Sequence, residues 1–170
     1  QWTGLEVFDV HEPRRPVKVA SHPIEGAAFG IAVADNLAYV AGGVGGLQVF
    51  EVNRPDRPLR LSNVLVPESA IAVAVSGNYA YQATGHSDLQ LDVTNPAKPV
   101  RVGQYNPAIF TRDVQVVGDR AYLAVGFNGI EVVALNDPTK PFRLGSSATS
   151  DNAMAIHVNG GVAYVANAAG

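Results

Sequence analysis

The chain has 170 residues, 47% of them hydrophobic and 16% charged, with a formal net charge of −3. That length supports a substantial core, and the charge balance lacks the basic excess of a nucleic-acid binder. Cysteine is absent, which excludes disulfides, thiolate metal sites and cysteine nucleophiles, and no apolar run nears the roughly 20 residues of a membrane-spanning helix.

In chain order, a first apolar run (4–10) leads into Pro13-X-X-Pro16 and a second short run after it. A full unit follows from Phe29. Strand A (29–33) alternates large and small residues, and Asp35-Asn36 offers a two-residue hairpin turn into strand B (37–41). The Gly-rich stretch 42–46 joins strand B to strand C (47–52). Pro55-X-X-Pro58 then interrupts the ladder, because proline carries no N–H, and strand D (59–64) closes the unit. The pattern returns with turns at Gly77-Asn78, Gly118-Asp119 and Gly160-Gly161. Tyr39, Tyr81, Tyr122 and Tyr164 mark strand B at intervals of 42, 41 and 42, and the double-proline turns keep the same beat. The short interval is placed in strand C of the third repeat, where Leu89–Val93 reads one residue shorter than Leu47–Val52. Four short strands in about 42 residues, with no helical periodicity, predict an all-β protein built of β-propeller blades. The repeats run 4–45, 46–87, 88–128 and 129–170 and form one domain or a segment of a larger propeller. Three blades (29–64, 71–105, 112–147) are complete, with a half-blade on each side. Three ways to complete the architecture stand open: joining of the two half-blades, further repeats, or a homodimer that exchanges half-blades.

Strand A, lining the channel, has one large face (Ile31/Val33, Val73/Val75, Val114/Val116, Ile156/Val158) and a small one (Gly30/Ala32, Ala72/Ala74). Strand D carries a cation two residues after each second proline: Lys18, Arg60, Arg101 and Arg143. On an outermost strand these protect an open edge, and Asp9, Glu51 and Asp92 on strand C are expected to pair with them.

The segments Gly46-Leu47-Gln48-Val49-Phe50-Glu51-Val52-Asn53-Arg54-Pro55-Asp56-Arg57-Pro58 and Leu89-Gln90-Leu91-Asp92-Val93-Thr94-Asn95-Pro96-Ala97-Lys98-Pro99 resemble the LVIVD repeat of bacterial and archaeal propellers. Tyr164-Val165-Ala166-Asn167 is also similar to the related YVTN repeat, but the double-proline turn favours LVIVD. The resemblance covers all four copies. It implies a propeller in an extracellular, cell-surface or periplasmic setting, and it brings no catalytic motif.

Ligand sites are sought in the D–A and B–C loops around the channel mouth. The third inner segment breaks the pattern: Asp113 and Gln115 replace Gly or Ala, with Phe110 and Arg112 at the loop mouth. An Arg112–Asp113 ion pair is the structural alternative. His157 replaces alanine in the neighbouring strand A, so it forms a candidate polar pair with Asp113. His86 and Phe127 lie in B–C loops and complete the ligand-binding candidates. The four histidines occupy different places in the repeat, and none has zinc-motif spacing, so no metal ligands are assigned. Glu25, Glu68 and Asp151-Asn152 recur loosely in D–A loops, and His86-Ser87-Asp88 sits in a B–C loop; such acidic loops suit Ca²⁺ by oxygen type, without an Asp-rich run. No nucleophile elbow or phosphate-cradling loop is present. The expected function is a non-catalytic scaffold for a protein or ligand. An enzyme with a polar channel site and a surface-layer subunit are the alternatives.

Overall fold

A computed structural model describes residues 4–168, apart from the side chains of Leu89 and Gln90. Residues 169 and 170, which close the fourth repeat, lie outside the described residues. There are sixteen strands among the described residues: β1 (Leu5–Asp9), β2 (Val17–His22), β3 (Gly30–Ala34), β4 (Leu37–Ala41), β5 (Leu47–Glu51), β6 (Leu59–Val64), β7 (Ala72–Ser76), β8 (Tyr79–Ala83), β9 (Asp88–Asp92), β10 (Val100–Tyr105), β11 (Asp113–Val117), β12 (Arg120–Ala124), β13 (Ile130–Ala134), β14 (Phe142–Ser147), β15 (Asn152–Asn159) and β16 (Val162–Ala168). They form three antiparallel four-stranded blades, β3–β6, β7–β10 and β11–β14, with β1–β2 and β15–β16 as two-stranded half-blades. The half-blades do not join: each remains a separate sheet.

The repeated sequence features have repeated structural causes. Asp35, Gly77, Gly118 and Gly160 take left-handed φ values of 52°, 54°, 61° and 56° at the first turn position between the inner two strands. That conformation matches the hairpin's twist and explains why only Asp and Gly occur there. Each double-proline turn is closed by an i to i+3 backbone hydrogen bond: Arg15 N to Glu12 O, Arg57 N to Arg54 O, Lys98 N to Asn95 O and Lys140 N to Asp137 O. Every pairing of the two outer strands contains a register shift, as at Val49/Phe50 and Val132/Val133. A bulge there adds twist to the outer half of each blade.

The core lies between blades. Tyr39, Ala41, Leu47 and Val49 of the first blade meet Val73, Ala80 and Leu91 of the second. Tyr81 and Ala83 meet Val114, Ala121, Leu123 and Val133 of the third, and Ala124 meets Ile156 and Val158 of the last half-blade. The large faces of β7, β11 and β15 thus receive the tyrosine face of the preceding blade. Tyr39 is 2% exposed and Tyr164 61%, because no blade follows Tyr164 among the described residues.

Two sequence expectations are corrected. The outer-strand cations do not pair with Asp9, Glu51 or Asp92. Lys18 Nζ reaches Glu6 Oε1 at 3.1 Å, Arg60 reaches Glu25 at 3.0 Å and Arg143 reaches Glu131 at 3.4 Å. Lys18 stands opposite Phe8, so strand alternation places it on the face of Glu6 and turns Asp9 away. Asp9 instead accepts from the His11 backbone N–H, and Asp92 from that of Thr94, each at the start of a proline turn. The second correction concerns the short repeat. Tyr81 pairs with Gln90 as Tyr39 pairs with Val49, and Tyr79 with Asp92 as Leu37 with Glu51. Strand C therefore keeps its length, and the missing residue comes from the B–C loop. Asp88 then stands where the neighbouring blades have Leu47 and Ile130.

Candidate functional site

The B–C loop of each blade lies against the D–A loop that enters the next. Gly43 bridges to Ala70 and Gly126 to Ala153, and Thr111 N donates to Gly85 O at 2.9 Å. These loops form one face around the inner strands. Three of the sequence candidates meet there. The Arg112 guanidinium carbon sits 4.7 Å above the centre of the Phe110 ring, and the His86 ring meets Phe110 edge-on at 5.7 Å. Arg112 does not pair with Asp113; stacking on Phe110 takes the place of that expected ion pair. Its Nε is buried and meets no acceptor. Gly85 makes the arrangement possible: a Cβ there would stand 2.8 Å from the Phe110 ring. Glu68 fixes the B–C loop by accepting from the His86 backbone N–H at 2.8 Å.

Beneath this cluster lies a polar junction around Asp88, which the sequence reading places in the B–C loop rather than facing Thr111. Thr111 Oγ1 donates to Asp88 Oδ2 at 2.8 Å, and the Thr84 N–H to Oδ1 at 3.4 Å. The equivalent residues at the flanking junctions are apolar, Leu47 with Ala70 and Ile130 with Ala153. Enclosure by protein pushes the Asp88 carboxyl up to about 7, against the two hydrogen bonds and with added repulsion from Glu131 and Glu68. Glu131 is buried, accepting from the Tyr105 hydroxyl at 2.5 Å and from the Ala108 N–H at 3.2 Å. Burial and the bond to Glu131 push the Tyr105 phenol well above its ordinary range, so it stays a donor. A cavity of about 30 Å³, enough for a water molecule, opens between the two blades beside Asp88, Tyr105 and Val114. Gln82 also lines it, buried with neither amide atom hydrogen-bonded, where other repeats carry Val40, Leu123 and Val165.

The remaining candidates go elsewhere. Asp113 Oδ2 accepts from Ile156 N at 3.0 Å, and Gln115 Nε2 donates to Val158 O at 3.3 Å while its Oε1 accepts from Val158 N. The two side chains fasten the inner strand of the third blade to β15. His157 lies between Ile156 and Val158 in sequence, so its side chain points to the opposite face of β15, where it is exposed. The structure thus separates Asp113 from His157. Phe127 sits at the tip of the third B–C loop, 66% exposed; the same tip carries Val44 in the first blade, 80% exposed, and His86 in the second. Glu25 is engaged by Arg60 and Asn63, Glu68 by the His86 N–H, and Asp151 by the Asn152 N–H. No group of three His, Asp or Glu side chains suited to a metal forms among the described residues.

The LVIVD repeat is matched at residues 25–59, 68–107 and 110–149, more than half of the chain. The chain belongs to the LVIVD-repeat family. No curated protein matches the sequence. Among solved structures, the LVIVD chain is similar to a functionally unknown protein from Desulfotomaculum acetoxidans, with a TM-score of 0.84 at 15% identity over 98% of this chain and 56% of that one. It is also similar to the computationally designed Ika4 protein, with a TM-score of 0.69 at 8% identity over 84% of this chain and 86% of that one. A third likeness is to Sqt1 of Saccharomyces cerevisiae, with a TM-score of 0.63 at 13% identity over 74% of this chain and 37% of that one. At these identities the likeness speaks for the fold alone. The LVIVD chain spans about half the length of the Desulfotomaculum protein.

Proposed function

We propose that the loop face of this LVIVD-repeat chain is a non-catalytic recognition surface for a protein partner, centred between the second and third blades. The observation that carries this reading is the set of B–C loop tips. Val44 and Phe127 stand exposed at two of these tips, and the third tip, His86, packs on Phe110 beside a guanidinium without an acceptor among the described residues. Exposed apolar groups beside a stacked arginine are typical of protein recognition cores. Catalysis is disfavoured because the two enclosed acids face inward: Asp88 is held by Thr111 and Thr84, and Glu131 by Tyr105 and Ala108. A general acid or base must reach its substrate. An extracellular or cell-surface setting, as the family resemblance implies, belongs to the same proposal.

The test is a displayed peptide library selected on the wild-type chain, with retained peptides rechecked on Phe127→Ser and on Leu144→Ser, which alters the exposed outer strand. Retention lost with Phe127→Ser and kept with Leu144→Ser supports the reading. No enrichment, or equal retention by both variants, contradicts it.

A second reading rests on the half-blades. Ile31 and Val33 are exposed where Val73, Val114 and Ile156 are buried, and Tyr164 is exposed where Tyr39 is buried. Each of these two faces presents what the other receives at every internal junction. We propose that blade structure covers them, from further repeats or from a second copy exchanging half-blades. A native mass of this chain that shows a monomer under assembly conditions removes the exchange.

A further inference from the structure

We propose that Arg112, stacked on Phe110, is the receptor for a single carboxylate carried on an apolar group of the bound partner. This deepens the recognition-surface reading and rests on it. A guanidinium is a planar fork of N–H donors whose geometry matches a carboxylate. In most folded proteins such a group finds an acceptor; here Arg112 has no ion pair among the described residues, and its Nε is buried without one. The Nη groups make no hydrogen bond among the described residues and are not enclosed as Nε is, so they are the donors an arriving carboxylate meets.

The nearby acids are committed. Asp113 accepts from the backbone N–H groups of Val114 and Ile156, and Glu68 from that of His86. The guanidinium is also held in place. Its central carbon lies over the Phe110 ring, and Phe110 stands against the backbone of Gly85 and meets the His86 ring edge-on. A donor group ordered before binding loses less freedom when the ligand arrives.

The same surroundings select the anion. Glu68 stands beside the loop, and Glu131 lies behind it. Their negative charge works against a phosphate dianion more than against a carboxylate monoanion. The apolar groups at hand are Phe110 itself and Ile109, and a Cβ added at Gly126, the residue before the exposed Phe127, would stand 3.4 Å from Ile109 Cδ1 and 3.7 Å from the Phe110 carbonyl, so the third B–C loop runs alongside. The trio also belongs to this junction alone. Ser69 and Asn152 stand at the Phe110 position of the flanking repeats, and Ile71 and Met154 at the Arg112 position.

Benzoate and inorganic phosphate serve as probes, titrated separately into the full chain near neutral pH. Arginine Nε–H resonances are followed by nitrogen-15 NMR. A saturable shift of the Arg112 signal with benzoate is expected, with phosphate weaker by about tenfold. Arg112→Lys keeps the charge and loses the fork, so benzoate binding falls by about tenfold. Phe110→Leu keeps the apolar bulk and loses the stacking platform, so binding weakens while the backbone spectrum is retained. No saturable shift, equal affinity in Arg112→Lys, or tighter phosphate binding overturns the proposal. If benzoate fails while the library yields peptides without carboxylates, the inference falls and the recognition surface stands. If benzoate binds at Arg112 and no peptide is retained, the carboxylate site stands and the protein-partner reading falls.

Discussion

The first and second blades meet through Leu47 and Ala70, and the second and third through Asp88 and Thr111, at the same scaffold positions. One junction is closed by apolar packing; the other keeps a hydrogen-bonded acid, a small cavity and an unpaired Gln82. Both hold the same strands in the same register, so a blade interface tolerates polar residues provided its backbone ladder and outer core are intact. What the polar junction gives up in packing coincides with the loop cluster of His86, Phe110 and Arg112 directly above it.

That contrast can be broken from either side. The largest effect is expected at the apolar junction. Leu47 is fully buried, and Leu47→Ala removes its packing and leaves a hole, costing about 4 kcal/mol in urea unfolding. Next comes the pH dependence of the polar junction. The Asp88 carboxyl is pushed up from 3.8 to about 7 in the folded chain, so the folded state holds that proton more tightly than the unfolded state. This contribution favours folding most below about pH 4 and is lost as pH rises to about 7. At about 1.4 kcal/mol per pH unit, with a discount for the partial exposure of Asp88, the change is about 3 kcal/mol. Asp88→Asn should flatten this slope, as read by urea titrations across that range.

Smaller effects sharpen the comparison. Gln82→Val restores the residue type of the first blade and removes two unpaired buried amide atoms, so the chain should gain about 1–2 kcal/mol. A loss of stability would mean that the Gln82 amide is satisfied in solution. Gln115→Ala copies the first two inner strands, which have Ala32 and Ala74 there, and removes both bonds to Val158, with an expected loss of about 1 kcal/mol and faster hydrogen exchange at the Val158 amide.

Much of the fold was legible because every structural device recurs. The turn residues, the strand B tyrosines and the proline turns each repeat in phase; the turns perform the same task in every copy, and the tyrosines pack wherever a blade follows. What stayed hidden lies where sequence order and spatial order part. The sequence alone places the gap of the third repeat in strand C, which leaves Asp88 in a loop; the pairing of Tyr81 with Gln90 moves it into a leucine site. The cation partners were misread because alternation and the outer-strand bulge turn Lys18 toward Glu6 rather than Asp9. Phe110, Arg112 and His86 were visible as departures from the repeat, and the loops bring them together. Asp113 and Gln115 were equally visible, but their partners are backbone groups of β15, which no residue pattern announces.

The carboxyl carbon of Asp88, followed by carbon-13 NMR as pH is raised, tests the polar junction most directly. A titration centred near 7 that moves when Thr111 is replaced by alanine is the predicted result. A titration in the ordinary range near 4, unchanged by Thr111→Ala, would place Asp88 in solvent and contradict the account of this junction.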